Sequence, residues 1–154
     1  NKSCQEKASK MKIVLDTNVL VAGLLTPFGT CGEIVRMVSS GELRLSFDAR
    51  IFSEYEEVLN RPKFKFEKEK VVVLLDQIEH CGRTVASSPL LHGLPDIDDE
   101  PFLEVAIAGK VACLVTGNSI HFPSKLCQGV KVLSPSEFLN FYKKQQKLKS
   151  RGRL

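Results

Sequence analysis

Apolar and polar positions along this chain fall into short blocks of two kinds. Five runs rich in apolar or β-branched residues read as strands: Ile13–Leu15, Leu43–Phe47, Arg83–Ala86, Ala112–Val115 and Val130–Leu133. Helical spacing fills the intervals between them. Ile34, Val35 and Val38 share one face of a helix over Thr30–Ser40 that stops before Gly41. Helices are also expected over Asp48–Asn60, ending at Arg61-Pro62, and over Glu67–His80. Asp99–Ala108 has Pro101 in its first turn and Gly109 just past its end, the usual asymmetry of a helix. Ser134-Pro135-x-Glu137 carries the capping pattern that starts a last helix. Strands alternating with helices predict an α/β fold around a mostly parallel sheet.

The first block poses a problem. In KIVLDTNVLVAGLL, residues 12–25, a carboxylate sits inside a hydrophobic run, where it is costly unless paired. Asp16 follows the first strand directly, so it is either the N-cap of the next helix or part of a site. In parallel sheets functional groups gather beyond the carboxyl ends of the strands.

Three further stretches carry polar groups of the same kind. Asp96-Ile-Asp98-Asp99-Glu100 puts four acids in five residues ahead of a helix. Capping and the helix dipole account for one or two of them, not four. The spacing does not fit an EF-hand loop, which needs a central glycine and a distant glutamate. In DARIFSEYEEVLN, residues 48–60, the apolar face is Ile51, Phe52, Tyr55, Val58 and Leu59. Glu54 and Glu56 border that face on opposite sides and Glu57 points away, so the helical wheel leaves Glu54 and Glu56 as alternatives. In LVTGNSIHF, Gly117 suits a tight turn after the strand, with Thr116 and Asn118 beside it. An ordinary turn with Asn118 in a left-handed conformation is the competing reading.

Oxygen donors with little histidine or cysteine suit magnesium or manganese rather than zinc or copper. Such clusters are typical of metal-assisted phosphodiester chemistry, in which the cation screens phosphate and activates water.

Composition changes this picture only modestly. The chain has 154 residues, 43% of them hydrophobic and 26% charged, which fits one ordinary globular domain. No apolar run is long enough to span a membrane. Five cysteines, odd in number and without a CxxC pair, point to free thiols in a reducing cytoplasm rather than a zinc site or a disulfide framework. The net charge of +4 is unevenly placed. Residues 143–154 hold six basic side chains and no acid, while residues 11–142 are net acidic. The basic end is either a solvated, disordered tail or a contact for a polyanion. The expected organisation is a disordered leader over residues 1–10, one domain over 11–142 and a basic tail over 143–154.

The motifs VLDTNVL, SEYEEVLNRPKF, DIDDEPFLEVAIAG and LVTGNSIHFP, in this order and between these elements, resemble the PIN-domain nucleases over essentially all of residues 12–142. The subgroup resembled is the bacterial and archaeal one often assigned as toxins of toxin–antitoxin pairs. The resemblance implies a three-layer α/β/α sandwich with a five-stranded sheet, and a cytoplasmic, Mg²⁺- or Mn²⁺-dependent ribonuclease leaving a 5′-phosphate. It also implies a homodimer, an antitoxin protein as partner, and no membrane association. Asp16 matches the first metal ligand, Glu54 the acid of the second motif, and Asp99 the third. The family often has Asp where this chain has Asn118, which keeps an oxygen donor but removes a charge, so weaker metal binding is expected. Asp96 and Asp98 add charge or hold outer-sphere water. Thr17 and Thr116 are candidates to orient ligands or phosphate through their hydroxyls. Arg61 and Lys63 are candidates for the RNA backbone, the alternative being a solvated helix end. His121 is either a phosphate contact or an ordinary surface or packed histidine. Two rival functions remain: an RNA-binding or scaffold protein with a weakened metal site, and a phosphatase with Asp16 as nucleophile. The phosphatase wants an acid two residues after Asp16, where this chain has Asn18.

Overall fold

A computed structural model describes residues 10–152; the expected leader lies outside them apart from Lys10. The strands are β1 (Met11–Leu15), β2 (Leu43–Phe47), β3 (Arg83–Thr84), β4 (Cys113–Val115) and β5 (Val132–Leu133). They form one sheet in the order β3-β2-β1-β4-β5, and every pairing is parallel. Ile13, Val14 and Leu15 are wholly excluded from solvent, as are Cys113, Leu114 and Val115. This is the expected character of central parallel strands covered on both faces.

Among the described residues six helices complete the three layers: α1 (Thr17–Leu25), α2 (Thr30–Ser39), α3 (Ala49–Leu59), α4 (Lys68–Cys81), α5 (Glu100–Gly109) and α6 (Pro135–Gly152). Helix α5 packs on β1, β2 and β4, α2 and α4 pack on β2, and α6 reaches β5 and α2. Helices α1 and α2 meet at 105°. Gly32 makes that bend possible, because a Cβ there would lie 2.0 Å from the Pro27 carbonyl oxygen. Phe138 and Tyr142 are buried and fasten α6 to the body.

The elements fall where the hydrophobic pattern puts them, with three differences. Strand β5 starts at Val132 rather than Val130, because Val130 closes a turn onto the Cys127 carbonyl at 2.9 Å. Gln128 and Gly129 of that turn both have positive φ. Strand β3 ends at Thr84, although the Val85 amide still bonds the Phe47 carbonyl at 2.9 Å. Residues 143–152 do not form a coil but continue α6 as helix, since their Lys/Gln composition favours helix and lacks a breaker before Gly152. Cys31, Cys113 and Cys127 are free thiols, whereas Cys81 is disulfide-bonded, which corrects the expectation of free thiols throughout. Among the described residues no single helix is long and apolar enough to cross a membrane.

The strand order reverses between β1 and β4, so two connections leave the sheet in opposite directions there. Leu15 and Val115, the last residues of these strands, are in register. Asp16 and Thr116 therefore emerge side by side at the topological switch point, where such sheets bind ligands.

Candidate active site

Asp16 follows β1 and occupies the N-cap position of α1, but its side chain makes no capping hydrogen bond. Its Oδ2 instead accepts from Thr116 Oγ1 at 2.8 Å, and Asp16 is buried. Burial pushes its carboxyl above the usual aspartate range, against the opposing effect of the Thr116 hydroxyl and the Asn18 and Thr17 amides. Asp99 repeats the pattern at the start of α5, an N-cap residue with no capping bond. Two other aspartates show what capping looks like in this protein. Asp48 accepts from the Ile51 amide at 3.1 Å, and Asp96 from the Asp98 amide at 2.9 Å. Asp16 and Asp99 are thus in capping positions with their carboxylates aimed elsewhere.

Glu54 projects from α3 toward the same end of the sheet and accepts a hydrogen bond from Thr17 Oγ1. Burial raises its pKa, and the charges of Asp16 and Asp98 add to the rise against the Thr17 bond. Glu56 is exposed, so of the two glutamates the wheel left open only Glu54 turns to the interior. The neighbouring Tyr55 is fully buried and donates from its hydroxyl to the Leu15 carbonyl at 2.5 Å. That bond ties α3 to the residue immediately before Asp16.

Asp99 carries the strongest perturbation. Burial, then the charges of Asp16 and Asp96, push its carboxyl up to about 6. His121 opposes the rise, with Nδ1 3.2 Å from Asp99 Oδ2. That oxygen is shut off from solvent and has no hydrogen-bond partner of proper geometry. Among the described residues, the potential metal ligands that converge within 4.8 Å are Asp96, Asp99 and His121. Asp16 and Glu54 lie outside that tight group; Asp16 acts on Asp99 by electrostatic repulsion, and Glu54 feels the charges of Asp16 and Asp98.

Asn118 is exposed, with φ −128°, so it is not in the left-handed conformation of an ordinary turn. Its amide donates to Thr116 Oγ1 at 3.0 Å. Gly117 has no positive φ either, and an added Cβ would meet only Asn18 at ordinary contact distance, so the turn does not depend on glycine there. The Gly117 amide donates to Asn18 Oδ1 at 3.3 Å, closing the two switch-point loops on each other. Thr17 and Thr116 both spend their hydroxyl protons on carboxylates, a positioning role. Arg61 is held by Glu57 in a two-pronged exposed pair at 2.7 and 2.8 Å. Lys63 Nζ lies 5.1 Å from the centre of the Phe64 ring. The convergence of His121 and Asp96 on Asp99 has no local signal in the sequence, because 22 positions separate Asp99 from His121.

The donor set is suited to a hard divalent cation. Three carboxylates are raised by burial, Glu54 and Asp99 also by neighbouring acids, and together they leave negative charge that a cation would neutralise. An oxygen-rich set with one imidazole fits Mg²⁺ or Mn²⁺.

Comparison with known proteins agrees with this geometry. The chain is 24% identical over 146 residues to Uncharacterized protein MJ1680 of Methanocaldococcus jannaschii, an alignment covering 88% of this chain and 94% of that protein. Residues 12–119 match the PIN domain, a span that takes in β1 from Lys12 through β4, the acids Asp16, Glu54 and Asp99, and Asn118. PIN domains are nuclease-type hydrolase domains that generally use divalent metals. With well over half of its length matched, the chain belongs to the PIN domain family.

Proposed function

We propose that this protein is a divalent-metal-dependent endoribonuclease that hydrolyses RNA phosphodiester bonds, with Asp16, Glu54, Asp99 and Asn118 as its working groups. The observation that carries the proposal is the pair of N-cap aspartates that do not cap. Asp16 is buried and Asp99 half-buried with one solvent-excluded oxygen, neither side chain makes a capping hydrogen bond, and Asp99 stands against the charges of Asp16 and Asp96. Nothing in helix capping accounts for that cost.

Asp16, Glu54 and Asp99 would hold one or two Mg²⁺ or Mn²⁺ ions with Asn118 assisting, and Asp96 and Asp98 contribute charge around them. When bound, the metal supplies positive charge to the phosphodiester and activates water for an in-line attack that leaves a 5′-phosphate. The chain's own part is positioning. Thr116 fixes the Asp16 carboxylate and Thr17 fixes Glu54. His121 faces Asp99 with Nδ1 3.2 Å from Oδ2 and would be the imidazole that meets phosphate.

Asp16→Asn and Asp99→Asn test the assignment. Each should abolish metal-dependent cleavage of RNA while leaving a cooperative thermal transition, and unchanged cleavage in both would refute it. The toxin role, an antitoxin partner, a homodimer and a cytoplasmic site of action belong to the same proposal and rest on the subgroup its motifs resemble. Light scattering tests the dimer, and growth arrest relieved by the product of an adjacent small reading frame tests the pairing. The exposed amide of Asn118 favours one alternative, a PIN-like RNA-binding protein with a weakened metal site. Calorimetric titration with Mn²⁺ separates the two, because a decayed site gives no saturable heat at millimolar metal.

A further inference from the structure

The stretch RPKFKFEKEK, residues 61–70, places two aromatic rings among five cations and two acids. Pro62 cannot continue α3 as a helical donor, and Arg61 before it is extended, with ψ 129°. A single 3₁₀ turn follows over Pro62–Phe64, and Lys65 takes a left-handed conformation at φ 55°. A lysine rarely adopts that conformation. The outcome is a stacked ring pair, Phe64 and Phe66, with centroids 5.3 Å apart and planes 13° from parallel.

The two rings have different surroundings. Phe66 packs against the hydrophobic core. Phe64 is half-buried and lines a groove of about 400 Å³ that it shares with Asp16, Glu54, Val21, Leu25 and Val58. Its walls thus combine two acids of the candidate site with apolar side chains. Lys63 and Lys65 stand exposed on either side of Phe64 in the chain.

Phosphate has no reason to lie on an apolar wall, and the acids repel it. A nucleobase does have a reason, since its face stacks on an aromatic ring irrespective of its identity. We propose that Phe64, backed by Phe66, is a stacking platform for an unpaired base next to the acidic site, with Lys63 and Lys65 holding the phosphates on either side of that base. The Lys63 ammonium now over the ring sits on an exposed, flexible stem. An exposed cation–π contact is a weak one, so a base displaces it and frees the charge for phosphate. The position of the platform relative to the cut rests on the nuclease reading; base stacking itself does not. A paired base has both faces covered, so the platform selects single strands and tolerates any sequence.

The test is equilibrium binding in EDTA, where no cleavage occurs, using a single-stranded RNA octamer containing 2-aminopurine. Comparators are an octamer of the same charge with abasic sites and a blunt duplex. Phe64→Leu keeps apolar bulk but removes the π face, and Phe64→Trp keeps it; thermal melting confirms that both fold. Expected results are binding about 5-fold weaker or more in Phe64→Leu, wild-type affinity and fluorescence quenching in Phe64→Trp, and weak binding of the abasic octamer and the duplex by all three proteins. Equal octamer affinity in wild type and Phe64→Leu, equal affinity for base-bearing and abasic strands, or no binding by the wild type would overturn the platform. Cleavage assayed separately with Mg²⁺ or Mn²⁺ keeps the two ideas apart. Cleavage with no effect of Phe64→Leu on binding removes the platform and leaves the nuclease. Binding that depends on Phe64, with no cleavage under either metal, does the reverse.

Discussion

Replacing Asp99 by asparagine should make the metal-free protein more stable at neutral pH, although it removes a group proposed to be essential. In the folded chain Asp99 keeps its proton up to about pH 6, whereas the unfolded chain releases it near the ordinary value of 3.8. Between those values the folded state binds more protons than the unfolded state. Stability is therefore highest below about pH 4, falls as pH rises through 6, and levels off above. A shift of this size, at about 1.4 kcal/mol per unit, sets a ceiling of about 3 kcal/mol. The Asp99 side chain retains 14% of its exposure. Screening through that opening brings the expected gain to about 1–2 kcal/mol at pH 7.5. Asparagine is nearly isosteric and removes the repulsion with Asp16 and Asp96. For a domain of this length the gain corresponds to about 2–4 °C in Tm per kcal/mol. The assay is urea unfolding of wild type and Asp99→Asn in EDTA at pH 4.5, 6 and 7.5. The difference should be smallest at the lowest pH, about a third of its full size, and widen as pH rises. A gap that stays constant with pH, or a variant less stable at pH 7.5, would refute the view that Asp99 is held charged at a cost. Added Mn²⁺ should then stabilise the wild type and leave the variant almost unmoved, reversing the order.

Three other perturbations read different parts of the site. Thr116→Val deletes the donor to Asp16 and the acceptor for the Asn118 amide, and should weaken Mn²⁺ binding about 10- to 100-fold; the acidic limb of the cleavage profile should move to higher pH, and an unmoved limb would show that Thr116 does not hold Asp16. Asn118→Asp restores a fourth charge and should tighten Mn²⁺ by about an order of magnitude in calorimetric titration, whereas unchanged affinity would place residue 118 outside the coordination sphere. Ending the chain after Tyr142 removes six cations but no buried side chain among the described residues; RNA affinity should drop across sequences with a shallower salt dependence, and stability should change by less than about 1 kcal/mol.

The fold was legible because this chain's parallel strands are short, apolar and separated by helices with ordinary stop signals. Gly109, Arg61-Pro62 and Gly41 each stand within a residue or two of a real boundary. Where the reading slipped, tertiary contacts decided the outcome. Val130 looks like a strand residue and is used in a turn, and the basic end, open in the sequence between a solvated tail and a polyanion contact, is helical through Gly152. The site was legible in part. Asp16 stood out as a charge in an apolar run, and family resemblance separated Glu54 from Glu56 where the wheel could not. Two things were not readable locally: that Asp16 and Asp99 leave their capping bonds unmade, and that His121 faces Asp99. The bond that draws Asp16 away from its cap depends on the register of β1 with β4, which brings Asp16 and Thr116, a hundred positions apart, to one edge.

The hydroxyl of Tyr55 has a bearing on how this protein fails under stress. Its bond to the Leu15 carbonyl joins the residue after Glu54 to the residue before Asp16, deep in the core. Two mutually repelling carboxylates are thereby held apart by backbone and not by pliant side chains. Their spacing cannot relax while the centre of the sheet is intact. On heating, the acidic edge should not loosen ahead of the rest, and loss of cleavage and loss of the fold should coincide in a single transition.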